Sequence, residues 1–159
     1  MTDGAALELR RAGPADAAAI AALTREAYAK WIPVIGRAPK PMTADYDVAV
    51  RDHVIDLLWA GDRLVALIEM MLEPDHLLIE NLAVSPFCQG RGFGKRLMKN
   101  AELRALDLGY SEVRLYTNKL FVENIAFYRK LDYRIDAETP FKGGFIVHMS
   151  RRICESFAG

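Results

Sequence analysis

The stretch Ser85–Ala101, "SPFCQGRGFGKRLMKNA", sets three glycines within five residues among four cations, Arg91, Lys95, Arg96 and Lys99, and holds no acid. Past the glycines the pattern turns helical, so the cations crowd the positive end of a helix dipole, which repels them. A bound anion resolves the conflict. The first N–H groups of a helix lack internal partners, and glycines let a phosphate approach them closely. Gly90–Lys95 is therefore expected to cradle a phosphate or pyrophosphate; a tight turn leading into a solvated cationic face is the plainer alternative.

Proton-transfer chemistry has fewer candidates. Glu80 interrupts the apolar run "LLIENLAV" and alternates onto the face of Leu82 and Val84. A carboxylate in such surroundings is expected to have a raised pKa, which suits a base near neutrality; pairing with a neighbouring cation or capping a sheet bulge is its structural alternative. Glu69, one strand earlier, is the second choice. Cys88 lies beside the glycines with no evident base partner, which argues against a covalent thiol route. His53, His76 and His148 are scattered, and with only two cysteines, Cys88 and Cys154, the sequence has no metal-ligand spacing.

These residues need elements to hold them. "LELRR" reads as a first strand, and Asp16–Trp31 as a helix with Ile20, Leu23, Ala27 and Trp31 on one face. Pro33, Pro39 and Pro41 forbid regular helix through "IPVIGRAPKPM", an exposed connection of the kind that serves binding sites. A short helix over Ala44–Arg51 follows. "VIDLLWA" and "RLVALIEMMLE", joined by Gly61-Asp62, read as a hairpin, and "LLIENLAV" as the next strand. Leu97, Met98, Ala101, Ala105 and Leu108 form a helical stripe ending at Gly109. "EVRLYT", a helix over "VENIAFYRKL", and the strands "DYRIDAE" and "GGFIVHMSR" complete the chain. The fold class is α/β (α+β), with about seven strands in a mixed, mostly antiparallel sheet flanked by four helices.

At 159 residues, 52% hydrophobic and 26% charged, the chain is expected to form one domain over residues 1–159. Twenty-one bases balance 21 acids, which argues against a nucleic-acid partner. No apolar run is long enough to span a membrane, and no signal-peptide core is visible; a reducing cytoplasm is the expected location.

Nucleotide-binding spacings test the glycine loop. A phosphate loop of the G-x-x-x-x-G-K-[ST] type fails twice, with Gln89 in place of the first glycine and Arg96 after Lys95. The dinucleotide pattern G-x-G-x-x-G fails at Lys95. A third pattern fits. Val84, Pro86, Gln89, Gly92 and Gly94 resemble the [Q/R]-x-x-G-x-[G/A] loop of the GNAT superfamily of N-acetyltransferases, which follows a strand ending near V-x-P. Downstream, Asn124, Ala126, Tyr128 and Tyr133 in "ENIAFYRKLDY" resemble a second block of that family. Asp132 stands where members usually carry glycine, a site that commonly needs left-handed backbone, which Asp tolerates better than most residues.

The resemblance implies a GNAT-like sheet with splayed central strands and acetyl-CoA as cosubstrate, with no metal. Its pyrophosphate would lie on Gln89, Gly90, Arg91, Gly92, Phe93, Gly94 and Lys95. Its pantetheine arm would pair with the backbone of Leu82, Ala83 and Val84, where an N–H polarises the thioester carbonyl. Tyr128 would act as general acid toward the leaving thiolate, or simply fill the core. Asn124 would contact the cofactor, or cap its helix. The acceptor implied is a primary amine of a small molecule or peptide, and homodimers are common in such a family. Two other readings stay open: a catalytically silent acyl-CoA sensor on the same fold, and a nucleotide-binding module.

Overall fold

A computed structural model describes residues 6–154. Seven strands form one mixed sheet in the order β1-β2-β3-β4-β5-β7-β6. They are β1 (Leu7–Arg11), β2 (Val54–Ala60), β3 (Arg63–Leu72), β4 (Leu77–Val84), β5 (Glu112–Asn118), β6 (Arg134–Phe141) and β7 (Gly144–Arg152). The expected four helices are α1 (Ala17–Tyr28), α3 (Tyr46–Asp52), α4 (Phe93–Asp107) and α5 (Val122–Lys130), with one extra turn, α2 (Ile32–Ile35). The described residues belong to two compact units, one running to Met70 and resuming at Asn81–Met98, the other comprising Met71–Glu80 and the chain from Lys99 on.

The first unit carries β1, β2, β3 as far as Met70 and the C-terminal half of β4. Antiparallel pairing runs from Leu7↔Ala60 to Arg11↔Asp56 and from Val54↔Met70 to Ala60↔Arg63. Its core packs Ile20, Leu23 and Ala27 of α1 with Tyr46 and Ala49 of α3 on Ile55, Leu57, Leu67 and Ala83 of the strands. The helical stripe expected in α1 is therefore the buried one, and Trp31 at its end is buried too.

The second unit holds the N-terminal half of β4 with β5, β7 and β6. Parallel pairing of β4 with β5 runs from Leu77↔Val113 to Ile79↔Leu115, and β5 pairs antiparallel with β7 from Glu112↔Arg152 to Asn118↔Ile146. Val113, Leu115, Tyr128, Tyr133, Val147 and Met149 are buried in it.

Three expectations need correction. Pro33 and Pro41 do not exclude helix: Pro33 lies in the first turn of α2 and Pro41 in that of a 3-10 turn, Lys40–Thr43. There a missing N–H costs nothing, because first-turn N–H groups have no helical partner. Leu108 is not part of the α4 stripe. Leu97, Met98, Ala101 and Ala105 are buried, whereas Leu108 is 52% exposed, because the helix ends at Asp107 and Gly109 (φ 87°) turns the chain away. The strand read from Asp132 begins at Arg134, since Asp132 (φ 71°) still belongs to the end of α5.

Candidate active site

The C-terminal half of β4 and the glycine turn lie in the first unit. Along β4 burial alternates strictly, so Leu82 and Val84 are half-buried and Ala83 is buried. Asn81, buried beside them, makes three side-chain hydrogen bonds. Its side-chain carbonyl accepts from the Tyr28 hydroxyl at 2.8 Å, and its Nδ2 donates to the hydroxyls of Thr24 (3.3 Å) and Tyr46 (3.2 Å). Tyr28 also reaches the Leu82 carbonyl at 3.3 Å, and Tyr46 donates to the Pro41 carbonyl at 2.7 Å. Helix α1, helix α3 and the proline segment are thus tied to the strand at one amide.

The turn begins with Ser85, whose N–H donates to the Val65 carbonyl at 2.8 Å and whose carbonyl accepts from Cys88 at 2.9 Å. Cys88 is buried, and Phe87 is 72% exposed with the Arg63 guanidinium 5.4 Å from its ring centroid. Gly90 (φ 81°) and Gly92 (φ 80°) both adopt left-handed backbone, and a Cβ built at either would meet nothing within 4 Å. Side chains are therefore missing along a face that borders open space. Helix α4 starts at Phe93, so Gly94 and Lys95 are already in its first turn, and Arg96 N–H to Gly92 carbonyl (3.0 Å) closes that turn. Gln89, Arg91, Lys95 and Arg96 are exposed and Phe93 is buried. An anion can meet first-turn N–H groups here at a place crowded with cations, which is the fit that a pyrophosphate requires.

Glu69 belongs to this unit too. It is buried, and its Oε2 accepts from Nδ1 of His53 at 2.6 Å. A proton-accepting role for Glu69 would have to break that pair.

In the second unit, Glu80 accepts a 2.6 Å hydrogen bond at Oε1 from the hydroxyl of Tyr116 on β5. The cation partner that the sequence left open for Glu80 has a neutral rival. Tyr128 lies near the end of α5, its ring 5.2 Å from that of Phe127 and 6.2 Å from that of Tyr133, both edge-on. A Schellman turn sets this arrangement. With Asp132 left-handed, Tyr133 N–H donates to the Tyr128 carbonyl (3.1 Å) and Asp132 N–H to the Arg129 carbonyl (3.0 Å). Tyr133 is anchored in turn by the buried Glu102 carboxylate (2.7 Å), which also accepts from Arg151 at 3.3 Å. Burial raises the Tyr128 pKa well above the ordinary tyrosine value, so the hydroxyl keeps its proton. Asn124 is half-buried in the first turn of α5 and does not cap it; Phe121 is the N-cap.

Residues 20–133 match the sequence model of the Acetyltransferase (GNAT) family. The chain belongs to that family. The glycine turn, β4 and α5 of this GNAT protein all fall inside the matched segment. The uncharacterized N-acetyltransferase YvbK of Bacillus subtilis (strain 168) is 32% identical over 80 residues, 50% of this chain. That match spans 52%, about half, of the relative's length. Among solved structures, the PaiA N-acetyltransferase of Thermoplasma acidophilum in complex with coenzyme A shares the fold with a TM-score of 0.77 at 18% identity. That alignment covers 93% of this chain and 99% of the other. A Bacillus subtilis acetyltransferase in complex with CoA aligns with a TM-score of 0.72 at 20% identity, covering 94% of this chain and 100% of the other. The GNAT sheet expected from the sequence is thereby met in solved proteins.

Sequence reasoning missed Tyr116, Asn81, Tyr28 and the His53–Glu69 pair. Tyr116 carried one usable signal, an aromatic hydroxyl on the same alternating face of β5 as Arg114 and Asn118.

Proposed function

We propose that this GNAT protein is an acetyl-CoA-dependent N-acetyltransferase, with residues 1–159 acting as one domain, and that it transfers acetyl directly to a primary amine of a small molecule or peptide. The observation carrying the proposal is the left-handed Gly90 and Gly92 at the start of α4, which present a face without side chains where cations gather. Two structural neighbours bound to coenzyme A support the same cosubstrate.

The thioester supplies the acyl group; the chain supplies positions and protons. Backbone N–H groups of Gln89–Lys95 hold the pyrophosphate, with Arg91 and Lys95 adding charge. The backbone of Leu82, Ala83 and Val84 aligns the pantetheine arm, and an N–H there meets charge developing on the carbonyl oxygen. An alkylammonium is deprotonated only to about one part in several thousand at pH 7, so a base helps, and Glu80 takes that role. Tyr128, held neutral by burial, gives its hydroxyl proton to the departing thiolate. Asn124 contacts the cosubstrate from the first turn of α5.

The test is thiol release from acetyl-CoA with a panel of polyamines, amino acids, aminoglycosides and peptides, beside thermal shifts with acetyl-CoA, ATP and NAD. Release with at least one amine and a shift with acetyl-CoA alone are expected. A shift without release under any acceptor points to an acyl-CoA sensor, and a shift with ATP or NAD overturns the assignment.

A further inference from the structure

The register of β4 on β5 places Ile79 opposite Leu115, so Glu80 and Tyr116 occupy the next step. Both sit on the half-buried face of their strands. Their 2.6 Å contact is the length of a hydroxyl bonded to a charged carboxylate. Tyr116 is braced from its other side. It registers with His148 of β7, their ring centroids are 6.4 Å apart, and His148 Nε2 meets the Thr139 hydroxyl of β6 at 2.8 Å. A row of polar side chains thus crosses β4, β5, β7 and β6 and ends on Glu80.

We propose that Tyr116 is the positioning residue of Glu80, holding Oε1 so that the carboxylate keeps one orientation. This rests on the reading of Glu80 as the base. In that step the acceptor ammonium loses a proton: its N–H bond breaks, an O–H bond forms on Glu80, and the electron pair stays on nitrogen. The nitrogen then bonds to the thioester carbon, the C–S bond breaks, and the thiolate takes the Tyr128 proton; a second N–H bond breaks as the amide forms, and that proton restores the Tyr128 hydroxyl, while Glu80 releases its own to water. Tyr116 keeps its own proton throughout.

A double-mutant cycle tests the assignment with the full chain and the best acceptor of the panel. Tyr116→Phe removes one oxygen and leaves the ring, so packing persists. It is expected to lower kcat about tenfold, the scale of a bond to a charged group, while KM for acetyl-CoA stays within about twofold. Glu80→Gln is expected to lower kcat more, and adding Tyr116→Phe to it should change nothing further, because the two act as a unit. Multiplying effects, or a Tyr116→Phe enzyme with parental kcat, overturn the positioning role and leave the transferase reading intact. Parental turnover in Glu80→Gln overturns the base and its positioning residue together. A parent protein inactive with every acceptor overturns the transferase reading itself, and this inference with it.

Discussion

The Tyr28 hydroxyl donates to the Asn81 side chain across 2.8 Å, 53 residues away in sequence. Both amide ends of Asn81 are occupied, by Tyr28 on one side and by Thr24 and Tyr46 on the other. Replacing it with Leu removes a partner from three hydroxyls at once, whereas Tyr28→Phe leaves the bonds to Thr24 and Tyr46 in place. We expect Asn81→Leu to cost about 3 kcal/mol and Tyr28→Phe about 1 kcal/mol in urea unfolding. Equal costs would show that the amide is not the hub.

Tyr128 tests the acid. Tyr128→Phe keeps the edge-on packing on Tyr133 and removes the proton. Turnover should fall about 100-fold, with the dissociation constant for acetyl-CoA changed by no more than about twofold. Unchanged kinetics would return Tyr128 to the core as a packing residue.

Two glycines with the same backbone separate strain from binding. Gly92 (φ 80°) lies in the proposed phosphate turn and Gly61 (φ 62°) in the β2–β3 hairpin; a Cβ meets nothing within 4 Å at either. Alanine at each should cost about 1–2 kcal/mol of stability from left-handed strain. Only Gly92→Ala should also raise KM for acetyl-CoA. A similar rise in Gly61→Ala would assign the effect to strain alone.

Alkaline pH probes the buried tyrosines. Burial raises the pKa of Tyr128, and burial with the Glu102 carboxylate raises that of Tyr133. An unfolded chain releases these protons from about pH 10, while the folded chain retains them. Over that range the unfolded state binds fewer protons, so stability is full below about pH 10 and declines as pH climbs. The melting temperature should drop beyond pH 10, less steeply in Tyr133→Phe, and tyrosinate absorbance should rise together with unfolding.

What could be read from the sequence, and what could not, divides along the range of the interactions. β2 and β4 were legible at their ends because apolar runs meet turn residues there, Gly61-Asp62 after one and Pro74-Asp75 before the other. The glycine turn was legible because left-handed backbone demands that residue type. Pro33 misled, since a helix breaker and a helix starter are the same residue one turn apart. Leu108 misled because its position continues the stripe of α4 while the chain has already left the helix. The bond between Tyr116 and Glu80 depends on a parallel register set across 36 residues of chain, and no local periodicity records it. Asn81 looked like one more central strand residue for the same reason.

The end of α4 and the end of α5 share one turn with different residues. Gly109 closes the first, with Tyr110 N–H reaching the Ala105 carbonyl at 2.9 Å, and Asp132 closes the second. Members of the family usually carry glycine at the latter place, and this chain makes the same left-handed turn with an aspartate. Written as dihedral angles, the two helix ends carry one instruction, and the residue letter is only one way to obey it.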